Sequence, residues 1–220
     1  MNNQKETIRK FVNYINNPEH LGGFWLPNIQ RPFVWSEEQI ERLYDSILRE
    51  YPIGTLLVWK NKSKIKHRRF IDHWKDSLRL LDFYVPVNED IKMLVLDGQQ
   101  RMQSLFIGLK GSYNGRQLYF NVLSGDLKAP DDRRYEFTFY ENNPGFPWIK
   151  FDTLVFPDKR NKEFKHEIEA NAGRDLDDQE DDRLEENIEL VRNVFCLQEN
   201  LLYQEVDSID RPAAYSEDDI

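Results

Sequence analysis

Met93-Leu94-Val95-Leu96-Asp97-Gly98-Gln99-Gln100-Arg101 decides the fold: four apolar residues in a row read as a buried strand, and Asp97-Gly98 stops it at once. Gln99 to Gly108 then follows helical spacing, so the stretch is a strand, a tight turn and a helix start. Upstream, Ser36-Glu37-Glu38-Gln39 is a capping box, and Ile40, Leu43, Tyr44, Ile47 and Leu48 give its helix an apolar stripe ending before Pro52. Ile53-Gly54 turns the chain into a strand from Thr55 to Trp59. Thr7 to Asn16 predicts a short amphipathic helix through Ile8, Phe11, Val12 and Ile15, and His73 to Phe83 predicts another through Trp74, Leu78 and Leu81. Gln117 to Leu123 and Tyr135 to Tyr140 alternate as strands. A long helix is expected from about Gln179 to Tyr203, carrying Leu184, Ile188, Val191, Phe195 and Leu202. The class is therefore α+β, a mixed α/β core over residues 1–155 followed by an acidic helical extension over residues 156–220.

Composition narrows the function. With 40% hydrophobic and 13% aromatic residues, the chain can bury a substantial core. Its one cysteine, Cys196, excludes an internal disulfide or a zinc cluster and reads as a core residue. No apolar run approaches the ~20 residues of a membrane span, and the polar start lacks a signal peptide's apolar stretch, so a cytoplasmic protein with no membrane partner is expected. The net charge of −9 argues against nucleic acid, yet it is unevenly spread: residues 1–173 hold 26 Lys+Arg against 23 Asp+Glu, and residues 174–220 hold 4 against 16. The acidic block reads as a solvated helix face. Ser216-Glu217-Asp218-Asp219 looks like one more helix start just before Ile220, the pattern expected of part of a longer protein.

The chemistry concentrates at the turn after Leu96. Backbone N–H groups and the dipole of a helix N-terminus favour an anion there, and phosphate is the first candidate. Gly98 lets a ligand approach the backbone, Arg101 can fork onto phosphate oxygens, and Gln99 and Gln100 offer donors and acceptors. Asp97 beside a phosphate needs a cation such as Mg²⁺, or else orients a water or binds Arg101 or a ribose. An ordinary turn with a solvated first helical turn matches the same letters. A second Gln-Arg pair, Gln30-Arg31, stands in a proline-stiffened aromatic segment where a base can stack on Trp35 or Phe33. Core packing is the simpler role for at least one of Trp25, Phe33 and Trp35. There is no Gly-x-x-x-x-Gly-Lys-Ser/Thr loop and no Gly-x-Ser-x-Gly elbow, and His20, His67, His73 and His166 lack metal-ligand spacing. Lys62, Lys64, Lys66, Arg68 and Arg69 form a basic run that is either a solvated hairpin or a DNA-backbone ribbon.

Ile29-Gln30-Arg31-Pro32-Phe33-Val34-Trp35, then Ser46-Ile47, Pro52-Ile53-Gly54, and Leu96-Asp97-Gly98-Gln99-Gln100-Arg101 with Ser104-Leu105 resemble, in order, the motif series of domain-of-unknown-function family 262. That family forms the N-terminal part of GmrSD-type modification-dependent restriction endonucleases. Phe33 and Ser104 stand where the family usually has Tyr and Thr. The resemblance implies a ParB/sulfiredoxin-like small mixed sheet whose Gly-x-x-Arg turn, here Gly98 and Arg101, binds nucleotide phosphates. It implies a nucleoside triphosphate as ligand; joined to the reading of the residues above, Mg²⁺ or a similar cation is expected with it, with Asp97, Gln99 and Gln100 as catalytic residues and Gln30, Arg31, Trp35 and Ser104 beside Gly98 and Arg101 as binding residues. Hydrolysis would control DNA cleavage by an HNH-type nuclease partner, in a protein able to self-associate. The alternative is a DNA-binding or nicking domain, with the same turn on backbone phosphate and the basic run supplying affinity.

Overall fold

A computed structural model describes residues 2–28, 32–126, 132–158 and 161–210. Gln30, Arg31 and the helix start expected at Ser216 lie outside the described residues. In chain order the elements are β1 (Asn2–Glu6), α1 (Ile8–Tyr14), β2 (Phe24–Pro27), α2 (Glu37–Leu48), β3 (Leu56–Asn61), β4 (His67–Arg68) and β5 (His73–Trp74). A 3₁₀ turn (Leu80–Phe83) leads to β6 (Lys92–Asp97), α3 (Gln99–Lys110), β7 (Ser112–Tyr113), β8 (Gln117–Asn121), β9 (Phe137–Tyr140), β10 (Trp148–Lys150), α4 (Phe151–Val155), α5 (Asn161–Asn171) and α6 (Asp178–Val191). A π-helical segment (Arg192–Leu197) and β11 (Leu201–Asp207) complete the α+β architecture.

The main sheet runs β1-β11-β3-β6-β2-β4, with β11 parallel to β3 and β2 parallel to β6. Its larger core lies on one face, where α1 and α3 pack Ile8, Phe11, Met102, Leu105 and Ile107 against Phe24, Leu56, Val58 and Val95. Tyr44 of α2 joins Phe137, Phe151 and Phe195 in an aromatic cluster, and its hydroxyl donates to the Leu105 carbonyl at 3.0 Å. A smaller cluster of Trp25, Trp59, Leu94 and Val206 covers the other face. The capping box of α2 forms as read: Gln39 N–H donates to Ser36 Oγ at 3.4 Å and Ser36 N–H to Gln39 Oε1 at 2.9 Å. Among the described residues, no helix is long and apolar enough to cross a membrane.

Two sequence expectations are corrected. The helix over His73 to Phe83 is a short strand plus a 3₁₀ turn, because its stripe is not buried; Leu81 is 77% exposed. The chain is fixed just upstream instead, where the Gln103 amide accepts from Ile71 N–H at 2.9 Å and donates to the Ile71 carbonyl. The helix expected to run to Tyr203 stops at Val191, loosens into the π segment and becomes β11. Leu201 and Tyr203 are buried while Leu202 and Gln204 are exposed, a period of two that fits a strand. That strand sits between β1 and β3, so the expected boundary near residue 155 cuts through the main sheet.

The end of β11 is tied down by charge. Asp207 accepts from Lys60 Nζ at 2.8 Å and from the backbone N–H groups of Ile209 and Asp210 at 2.9 and 3.0 Å. Burial alone would raise its pKa, but these donors outweigh it and hold the carboxyl down to about 2. An unfolded aspartate titrates near ~3.9, so this contribution is complete above that pH and disappears as pH falls towards 2. Asp207→Asn should therefore melt below the parent at pH 7, with the gap closing between about pH 4 and 2. A gap that stays constant on acidification would show that ionisation of Asp207 is not what holds β11.

Candidate functional site

The site begins where β6 ends. Gly98 has φ 86°, and a Cβ there would lie 2.2 Å from Leu56 Cδ2 and 3.1 Å from Arg101 Nη2. A left-handed conformation costs an L-residue roughly 1–2 kcal/mol before any clash. Gly98→Ala should thus lower the melting temperature by several degrees, at about 2–4 °C per kcal/mol for a chain of this size. An unchanged melt would mean that the turn relaxes freely.

Gly98 is also the N-cap of α3, and no side chain caps that helix. By contrast, Thr7, Ser36 and Asp177 cap α1, α2 and α6. The first N–H groups of a helix lack partners within it, so the uncapped end of α3 presents donors and a positive dipole end. It opens on a cavity of about 210 Å³ lined by Trp35 and by every residue from Leu96 to Arg101. Larger hollows of about 400 and 520 Å³ border α5, but neither contains a residue of this turn.

Arg101 is seated deliberately by two glycines. Its Nη1 donates to the Ile53 carbonyl, and its Nη2 lies 3.6 Å from Asp97 Oδ2. A Cβ on Gly54 would come within 2.5 Å of Nη1, so Gly54 and Gly98 together leave the slot that the guanidinium fills. The Arg101 side chain keeps 21% of its surface and Asp97 73%, which makes the aspartate a rim group and the ion pair a weak one. In the sequence Ile53 and Gly54 read as a turn and as part of the family motif series; their part in holding Arg101 rests on a main-chain carbonyl and a missing Cβ, and only the glycine is visible in the sequence, without its partner.

The other expected site residues separate. Gln99 lines the cavity, but its side chain is buried and its amide donates to the Val95 carbonyl. The Gln100 amide is bonded to the backbone of Pro32 and Val34. Ser104 is fully buried, does not line the cavity, and donates to the Gln100 carbonyl at 2.8 Å. Trp35 forms a wall, whereas Trp25 and Phe33 are core, Phe33 packing edge-on to Trp74 at 5.1 Å. In the basic run, Arg68 is buried, and burial lowers its pKa. Lys64 pairs with Glu89 at 2.9 Å, so Lys62, Lys66 and Arg69 carry most of the run's exposed charge. Among the described residues, no group of three or more His, Cys, Asp or Glu side chains is placed to hold a metal. Cys196 is partly buried, as a thiol donating to the Val155 carbonyl at 3.5 Å.

Residues 8–218 match the family described as the GmrSD restriction endonuclease N-terminal domain. An uncharacterized protein of Methanocaldococcus jannaschii is 34% identical over 84 residues, which are 38% of this chain and 14% of that protein's length.

Proposed function

The chain belongs to the family of GmrSD restriction endonuclease N-terminal domains, and from that premise we propose that it binds and hydrolyses a nucleoside triphosphate at the start of α3 to regulate a DNA-cleaving partner. The observation that carries the reading is the uncapped N-terminus of α3 facing a cavity beside a partly buried arginine whose guanidinium is pre-set by the Ile53 carbonyl. In this reading, phosphate oxygens accept from the free N–H groups of the first turn and from the guanidinium N–H groups of Arg101 not spent on Ile53. Trp35 offers a flat wall for the base or ribose. Asp97 is the carboxylate exposed at the rim, suited to share Mg²⁺ with the phosphates or to orient the attacking water. Mg²⁺, when bound, would neutralise charge on the phosphates; one carboxylate plus phosphate oxygens is a usual environment for it. Gln99 and Gln100 drop out of the catalytic set, since the amide of the first is turned to Val95 and that of the second to the backbone of Pro32 and Val34. In this reading the regulated partner is an HNH-type nuclease, as a domain or as a separate subunit, acting on DNA as a defence.

The test is a titration with ATP, GTP, CTP and UTP plus Mg²⁺, following thermal shift and phosphate release. A response to at least one nucleotide that Arg101→Ala removes is the expected result. Silence towards all four, together with salt-dependent DNA binding lost when Lys62, Lys66 and Arg69 are neutralised, would move the assignment to a DNA-binding domain.

A further inference from the structure

We infer that Gln100 is a positioning residue that acts through Trp35, a conclusion that rests on the nucleotide reading of the α3 cavity. The two ends of its amide grip one segment: Oε1 accepts from Val34 N–H at 3.0 Å, and Nε2 donates to the Pro32 carbonyl at 3.1 Å. Two bonds from one planar group fix the segment's rotation as well as its distance from α3. Burial anchors Phe33 in the core but does not hold the next residue, Val34, which is 63% exposed, and Trp35 is only partly buried. Immediately after Trp35, Ser36 enters the capping box of α2. Trp35 is thus strung between two devices that fix backbone, the Gln100 amide before it and the Ser36–Gln39 box after it. These two devices add to the burial of Phe33 in setting where the cavity wall stands.

Releasing the Gln100 amide leaves the backbone donors of α3 and Arg101 in place while freeing the Trp35 wall. Phosphate binding and nucleotide binding should therefore part company. In the 220-residue chain, Gln100→Ala should speed amide exchange at Val34 about fivefold or more, the size expected for one lost net hydrogen bond. It should also shift Trp35 emission to the red, read as the difference from a Trp35→Phe background. The affinity for whichever of ATP, GTP, CTP and UTP bind the parent should fall about tenfold, while inorganic tripolyphosphate should bind within about twofold of the parent. Trp35→Ala should mimic this, and adding Gln100→Ala to it should change affinity by less than about twofold, since the two residues act as one unit. Gln100→Glu, which keeps the acceptor for Val34 but sets an oxygen against the Pro32 carbonyl, should fall between parent and alanine.

Equal weakening of nucleotide and tripolyphosphate would overturn the inference, because Gln100 would then be touching phosphate or supporting the helix as a whole. So would multiplying losses in the double variant, or unchanged Val34 exchange. If the parent binds none of the four nucleotides, the nucleotide reading fails by itself; Val34 exchange and Trp35 emission still decide whether Gln100 positions the wall.

Discussion

Replacing Arg101 with alanine should abolish nucleotide binding, a loss of a hundredfold or more in affinity, while costing the fold only about 1–2 kcal/mol. The binding effect is large because a bidentate charged donor in a partly enclosed cavity is removed, and water cannot replace its fork. The folding effect is smaller: the Ile53 carbonyl loses a donor, a deficit of about 1–3 kcal/mol that nearby solvent offsets in part. A fall of several degrees in melting temperature follows for a chain of this length. Arg101→Lys should recover stability better than binding, since an ammonium can reach Ile53 but cannot serve that carbonyl and a phosphate in one plane. Isothermal titration beside thermal melts separates the two effects. Nucleotide affinity preserved in a folded Arg101→Ala chain would remove the phosphate site from α3.

The strand-turn-helix at residues 93–110 was legible because each of its signals is local: an apolar run, a glycine stop and a helical stripe. The same holds for α2, whose capping box is written in four consecutive residues. What could not be read was that two separated motifs converge on the first turn of α3. Gln100 holds Pro32 and Val34, Arg101 holds Ile53, and Gly54 leaves room for the guanidinium. Those partners are backbone atoms, and backbone atoms look alike in every residue. Gln99 and Gln103, four apart and both buried on α3, did carry a signal: amides on the apolar side of a helix need partners, and here they find the Val95 and Ile71 backbone. The failures have a common cause as well. Around Leu81 and Leu202, a few apolar residues happened to match helical spacing, while tertiary pairing of His73-Trp74 with β7 and of Leu201 to Asp207 with β1 and β3 decided otherwise.

That second misreading has the largest consequence for stability. A chain cut after residue 155 should fail to fold, although it retains every residue proposed to bind nucleotide. Removing β11 takes out an inner strand, leaving β1 without its partner and β3 with one open edge. The same cut removes Leu184, Val191, Val194 and Phe195 from the main core. Phe195 stacks on Tyr44 at 5.9 Å and meets Phe151 edge-on at 5.0 Å, and Asn187 donates to the carbonyls of Val122 and Ser124 at 2.7 Å each. Phe195→Ala alone should cost about 3–5 kcal/mol, a large share of the roughly 5–15 kcal/mol that holds a domain together. In the full chain it should lower a single cooperative transition, and nucleotide binding should be lost at the same temperature as helical circular dichroism. A folded 1–155 chain, or a Phe195→Ala chain that loses its α6 signal well before its nucleotide site, would make the acidic segment an independent appendage. Cooperative loss would make it part of the frame that holds β3, Gly54 and Arg101 in register.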